Sequence, residues 1–136
     1  MKKNILITGG SGNLGRACIQ KFLADGHRVM ASISAGKSLG FETRGDLETF
    51  TADLTNEQNT TEAIEQVLKK NNPIDAALLL VGGFAMGNIA QADGKSVKKM
   101  FSLNFETAYY SARPIFQHML TQSTGGKIIL IGSRPP

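Results

Sequence analysis

Residues 75–81 read DAALLLV, and after the opening aspartate no polar side chain interrupts the run. A strand with one wet face alternates apolar and polar positions. A run that is apolar throughout needs cover on both faces, the condition of a strand inside a parallel sheet. Parallel neighbours are joined by crossovers, and the rest of the chain has the pieces for them. Strand-like runs at residues 4–7 (NILI), 28–33 (RVMASI), 48–52 (ETFTA) and 127–132 (KIILIG) alternate with segments of helical period. Residues 13–24 set Leu14, Ala17, Cys18, Phe22 and Leu23 on one face and close at Asp25-Gly26. Thr55-Asn56-Glu57 opens a helix over 58–70, with Ala63, Ile64, Val67 and Leu68 inward, and Asn71-Asn72-Pro73 breaks it. Residues 96–122 form a long helical stretch, bent at Pro114 and ended by Gly125-Gly126; residues 34–47 and 82–94 read as loops. The order β-α-β-loop-β-α-β-α-β calls for an α/β, doubly wound parallel sheet of about five strands with right-handed crossovers.

A chain of 136 residues suits one domain with a real core. The last apolar run leaves a hydrophobic sheet edge open. Either another chain covers that edge, or residues 1–136 are the N-terminal part of a longer protein whose C-terminal strands and helices are missing here. At 41% hydrophobic and 19% charged residues the composition excludes a disordered chain. No stretch has the ~18 apolar residues of a membrane span, and no export signal is visible, so neither a membrane partner nor secretion is expected. The single cysteine, Cys18, excludes an internal disulfide and suits the cytoplasm. The net charge is +4, but the basic residues are scattered; only Lys2–Lys3, Lys69–Lys70 and Lys98–Lys99 are adjacent, and no aromatic residues interleave with them. That pattern argues against nucleic acid and suits a phosphate-bearing ligand.

Between the first run and the first helix lies Thr8-Gly9-Gly10-Ser11-Gly12-Asn13-Leu14-Gly15. Strand, glycine turn and helix together aim backbone N–H groups at an anion held on a positive helix end. Gly10, Gly12 and Gly15 fit G-x-G-x-x-G; Gly9, Gly12 and Gly15 fit T-G-x-x-G-x-x-G. A dinucleotide pyrophosphate is the ligand this loop expects. The usual acid at the end of the second strand, which binds the ribose hydroxyls, is replaced by Ile33 or Ser34, and Glu42 lies too far along. With no carboxylate to repel a 2′-phosphate, and with Arg16, Ser32, Ser34 and Lys37 nearby, NADP is expected over NAD.

These features together resemble the short-chain dehydrogenase/reductase family over the whole chain. The glycine loop resembles its cofactor loop, with Thr8, Gly9, Ser11, Gly12, Asn13, Leu14 and Gly15 as contacts. Ala52-Asp53-Leu54 resembles the adenine-contacting segment after the third strand. MFSLNFETAYYSARPIFQHML resembles the fourth main helix, whose asparagine corresponds to Asn104. GGKIILIGS resembles the fifth strand, ending in the active-site serine, Ser133. The resemblance implies a Rossmann-like fold, a small carbonyl or alcohol substrate, and a homo-oligomer built through the long helix. Asn104 would serve a proton relay through its distorted backbone, and a buried asparagine in a helix needs partners or a function. Ser133 would polarise the substrate oxygen.

Two departures stand out. The usual Asn-Asn-Ala-Gly after the fourth strand is Leu79-Leu80-Val81-Gly82. The following GGFAMGN, with Gly82 and Gly83 as cofactor contacts, instead resembles dihydropteridine reductases and puts Phe84 near the substrate. That subgroup prefers NADH and generally lacks the asparagine and serine present here. Second, the family's Tyr-x-x-x-Lys, roughly a dozen residues beyond the serine, has no counterpart. Tyr109-Tyr110 precedes Ser133 and lacks the spaced lysine, and His27 and His118 belong to no triad. No metal-ligand pattern is present. The 136 residues are therefore expected to supply the cofactor site, Asn104 and Ser133, and to be inactive alone; the alternative is a non-catalytic NAD(P)-binding sensor.

Overall fold

The computed structural model describes residues 1–42 and 45–133, so the Arg-Pro-Pro that follows Ser133 lies outside the described residues. In chain order the elements are β1 (Asn4–Thr8), α1 (Asn13–Ala24), β2 (Arg28–Ser32), β3 (Leu47–Phe50), α2 (Glu57–Lys70), β4 (Ala76–Leu79), α3 (Gly94–Phe101), a π-helical turn (Ser102–Glu106), α4 (Thr107–Thr121) and β5 (Lys127–Leu130). The five strands form one sheet in the order β3-β2-β1-β4-β5, and every pair is parallel. The expected α/β, doubly wound sheet is therefore present. The strand order reverses between β1 and β4, and ligands of such sheets sit at the carboxyl ends of the strands at that point.

Alternation along β1 divides the core. Ile5 and Ile7 pack with Ile19 of α1, with Val29 and Ala31 of β2, and with Leu39 from the loop after β2. Leu6, on the other face, packs with Ile64 and Leu68 of α2 and Ile115 and Met119 of α4. β4 is covered on both sides, as its unbroken apolar run requires: Ala77, Leu78 and Leu79 are all buried. Among the described residues β5 pairs with β4 alone, and Ile129, Leu130 and Ile131 are 40%, 63% and 57% exposed, so this edge of the sheet is apolar.

Some boundaries differ from expectation. β3 starts and ends earlier than residues 48–52, and β4 stops at Leu79 rather than residue 81, because past Leu79 the chain turns over the glycine loop. The long helical stretch begins at Gly94, where the Asp93 carboxylate accepts from the Ser96 amide (2.8 Å) and hydroxyl (2.7 Å). Its interruption is not at Pro114 but at residues 102–106. Pro114 removes one N–H, yet it and Ile115 are buried and α4 runs through it. The turn at 102–106 has a local cause: Asn104 Nδ2 donates to the Met100 carbonyl (2.9 Å), the acceptor a regular helix reserves for the Asn104 N–H.

The two hydrogen bonds from Ser96 hold the Asp93 carboxyl below its ordinary value of 3.8. A carboxyl whose value is depressed on folding stabilises the fold above its unfolded value and loses that contribution as pH falls through its folded value. Amide exchange at Ser96 is therefore expected to accelerate as pH drops below about 4 beyond the intrinsic trend, and Asp93→Asn should flatten that response. An unchanged profile in the variant would remove Asp93 as the cap that matters.

Candidate functional site

The carboxyl ends of β1, β2 and β4 converge on the glycine loop. Gly9 has φ +77°, and a Cβ there would lie 3.1 Å from the Leu80 carbonyl carbon and Val81 nitrogen, so the turn needs glycine for both conformation and space. Gly15 is tighter: a Cβ would lie 2.1 Å from the Gly9 carbonyl oxygen. The loop is thereby folded onto the first turn of α1. Gly12 is the N-cap of that helix and brings no capping side chain, so the helix start has no internal anion substitute. Ser32 at the end of β2 accepts from the Gly9 amide (3.1 Å), and Thr8 Oγ1 from the Leu80 amide (3.3 Å). Ser11 Oγ accepts from the Ser34 amide (3.1 Å) and lies 3.3 Å from Ser34 Oγ, which ties the loop to the end of β2.

The sequence-selected residues divide into groups. Gly9, Ser34, Asp53 and Leu54 line one open cavity of about 510 Å³. Asp53 Oδ1 also accepts from the amide (3.0 Å) and hydroxyl (2.6 Å) of Thr55, so it builds the turn into α2 while facing the cavity. Arg16 reaches across to the loop after β2, its Nη2 donating to the Ser38 carbonyl (3.2 Å) while its buried Nε has no partner. Lys37 is exposed on that loop, as are Asn13 and Leu14 at the start of α1. Val81, Leu103 and Thr107 line the cavity as well but were not marked by the sequence: the two apolar side chains carry no signal apart from packing, and the Thr107 hydroxyl is taken up by the Leu103 carbonyl (2.8 Å).

The second group is held by the π-helical turn. Asn104 Oδ1 accepts from the Gly83 amide (3.0 Å), and its Nδ2 donates to the Gly83 carbonyl (3.0 Å). Contrary to the expectation of burial, Asn104 is exposed; its partners are main-chain groups on an open surface. Gly82 and Gly83 thus lead a loop, residues 82–93, clamped at its root by one side chain. Phe84 on that loop is 87% exposed. Ser133 lies beyond the end of β5 on the same edge of the sheet, exposed. Tyr109 is half-exposed and stacks on Phe105 with ring centroids 6.2 Å apart. Tyr110 donates to Glu106 (2.5 Å), which raises its ionisation above the ordinary value. Among the described residues no three His, Cys, Asp or Glu side chains cluster as a metal site, and no helix is long and apolar enough to cross a membrane.

Removing the Asn104 side chain deletes its two bonds to Gly83 and its bond to the Met100 carbonyl. Asn104→Ala is expected to destabilise the chain by about 1–2 kcal/mol, since each exposed bond is worth little. The sharper effect is local: the Gly83 amide should lose its hydrogen-exchange protection. Unchanged exchange at Gly83 would mean the loop holds its place without the clamp.

The short chain dehydrogenase family model matches residues 3–135. The chain belongs to the short-chain dehydrogenase/reductase family. Among curated proteins it is 27% identical over 135 residues to the cyclic-di-GMP-binding biofilm dispersal mediator protein of Escherichia coli, covering 96% of this chain and 53% of that one. It is 30% identical over 135 residues to the dihydropteridine reductase of Dictyostelium discoideum, covering 98% and 54%. The chain therefore spans about half the length of the curated relatives it matches. Among solved structures, NADP-bound ElxO superposes with a TM-score of 0.88 at 24% identity over 98% of this chain and 56% of ElxO. A Leptospira borgpetersenii short-chain dehydrogenase with bound NAD+ gives 0.88 at 20% over 98% and 52%. At these identities the two structures establish the fold.

Proposed function

We propose that this chain forms the cofactor-holding half of an NADP(H)-preferring short-chain oxidoreductase acting on a carbonyl or alcohol substrate. The observation that carries the reading is the cradle at the switch point: a helix start without a capping side chain, folded against Gly9 so closely that Gly15 leaves no room for a Cβ. Phosphate approaches backbone N–H groups in such a place. The residues present fit the group. Thr8 through Gly15 would hold the pyrophosphate, Asp53 and Leu54 the adenine, and Gly82 and Gly83 the neighbouring ribose. Ser34, Lys37 and the guanidinium of Arg16, which reaches the loop after β2, would receive a 2′-phosphate. Bound nicotinamide supplies the hydride exchanged with the substrate carbon.

The chain's own residues take the remaining roles. Ser133 would donate a hydrogen bond to the substrate oxygen as charge develops there. Asn104 would act through the main chain, because its side chain is committed to Gly83 and Met100. The wide turn around it breaks the helical ladder, the kind of break that frees a carbonyl for a relay water. Phe84 would lie beside the substrate. The family's Tyr-x-x-x-Lys is absent from these 136 residues, and proton transfer is assigned to groups outside them. A cytoplasmic homo-oligomer completes the reading, with the outward face of the π-helical turn and α4, where Phe105, Tyr109, Phe116 and Leu120 are each more than half exposed, as its contact.

Fluorescence titration of the chain with NADPH and NADH tests the reading. Tighter NADPH binding supports it; equal or tighter NADH binding overturns the preference, and no binding of either overturns the assignment.

A further inference from the structure

Beside the Asn104 clamp, the loop at residues 82–93 and the helix α3 enclose a second cavity of about 400 Å³, separate from the one that Asp53 faces. Its walls are Met86 and Gln91 from the loop and Ser96, Val97, Met100 and Phe101 from α3. None of these six side chains is charged. The two polar ones are already engaged: Gln91 Oε1 accepts from the Asn88 amide (3.1 Å), and Ser96 Oγ donates to Asp93 (2.7 Å). The lysines of α3 do not contribute. At 100° per residue, Lys95 and Lys99 lie opposite the face of Val97, Met100 and Phe101 and Lys98 at its flank, and none of the three lines the cavity.

Met86, Val97 and Phe101 are 90%, 57% and 54% exposed, so water covers apolar surface around a concave site. An apolar patch of this kind, rimmed by polar groups, marks a place where something binds. The two methionines give it an adaptable lining. The site is also continuous with the proposed active site. Met100 lines the cavity, and its carbonyl is the group that Asn104 holds while the same side chain grips Gly83.

We propose that this cavity binds the uncharged apolar substituent, alkyl or aryl, of the carbonyl or alcohol substrate. The inference rests on the oxidoreductase reading for the word substrate, and on the cavity alone for the class of ligand. Charge complementarity sets that class: a site lined by no charged side chain, with little beyond the Gln91 amide nitrogen to offer, gives a carboxylate or ammonium too small a return for its lost hydration.

The test uses the 136-residue chain with ¹³C-methyl methionine, read by NMR. Met86 and Met100 report on the cavity, while Met30 and Met119 are buried in the core and serve as internal controls. Titration with methyl ketones from 2-butanone to 2-octanone should shift Met86 and Met100 and leave Met30 and Met119 in place. Affinity should rise by about two- to fourfold per added methylene. Octanoate should bind at least tenfold more weakly than 2-octanone, and Val97→Asp, at an exposed position, should abolish the 2-octanone shifts without altering the core methionines. Affinity independent of chain length, octanoate binding as well as 2-octanone, or an unaltered titration in Val97→Asp would each overturn the proposal. NADPH titration of the same sample separates the two readings. Ketone shifts without NADPH binding remove the oxidoreductase and keep the cavity; NADPH binding without ketone shifts does the reverse.

Discussion

Gly15→Ala is expected to cost the chain both stability and cofactor, while Gly12→Ala costs the cofactor alone. Both glycines belong to the same loop and the same fingerprint, so the sequence gives no reason to separate them. Alanine in the body of a helix is ordinarily favoured over glycine by about 1 kcal/mol, which would make Gly15→Ala stabilising in isolation, whereas at the N-cap Gly12, outside the helix body, no such gain applies. Contact distance decides the sign. At Gly15 the new methyl meets the Gly9 carbonyl at 2.1 Å and the Gly10 Cα at 2.8 Å, both backbone atoms that cannot rotate away. Overpacking of that kind costs about 1–3 kcal/mol or more, which exceeds the helical gain. At Gly12 the nearest atom is 3.5 Å away, an ordinary contact. Gly12→Ala should therefore unfold in urea at or near the parent midpoint, yet place a methyl where phosphate approaches the start of α1. NADPH affinity should drop by at least tenfold in Gly12→Ala with stability kept, and both should fall in Gly15→Ala. A Gly12→Ala variant that binds NADPH like the parent would take the pyrophosphate away from this helix.

The contrast between the two glycines shows what the sequence carries. Periodicity identified every strand and helix, because each apolar run had to be covered and each helix had to bury a stripe. The glycine spacing marked a strand-to-helix turn, and that turn joins β1 to α1. Distances between segments remote in sequence were not readable. That Gly15 abuts Gly9 while Gly12 stands clear depends on how α1 seats on β1. The break in the long helix illustrates the same limit. Pro114 is the obvious candidate, since its missing N–H is written in its residue type, but the break lies at residues 102–106. There an asparagine side chain competes for the Met100 carbonyl while anchoring Gly83, a contact 21 residues away in sequence.

The departure after β4 has a comparable explanation. The family's asparagines there are replaced by Leu79 and Leu80, and Leu79 is buried in the core cluster with Ile115. The root of the following loop is held by Asn104, on the helix. Neither the clamp nor the exposure of Asn104 follows from its neighbours Leu103 and Phe105, whose apolar character suggested burial.

Ser34→Asp is expected to reverse the cofactor preference. Ser34 stands just past the end of β2, where members of this fold that bind NAD carry an acid, and its hydroxyl faces Ser11 of the glycine loop at 3.3 Å. A carboxylate there would accept hydrogen bonds from the two ribose hydroxyls of NADH, each worth about 1.5–3 kcal/mol to a charged acceptor before solvent competition. The same carboxylate would repel a 2′-phosphate. Unit charges about 4 Å apart interact with about 1 kcal/mol in bulk water and about 4 kcal/mol near a protein surface. Ser34 is exposed, which favours the lower figure, but a phosphate monoester carries about 1.5–2 charges at neutral pH. The NADPH-to-NADH affinity ratio should therefore fall by about a hundredfold. Arg16→Ala is the complementary change. It removes a cation that reaches the loop after β2, and should weaken NADPH by about tenfold with NADH unaffected. Direct titration of both variants with both cofactors measures all four affinities. If Ser34→Asp weakens the two cofactors equally, the end of β2 does not read the 2′ position, and the NADP preference argued from Ser34, Lys37 and Arg16 falls with it.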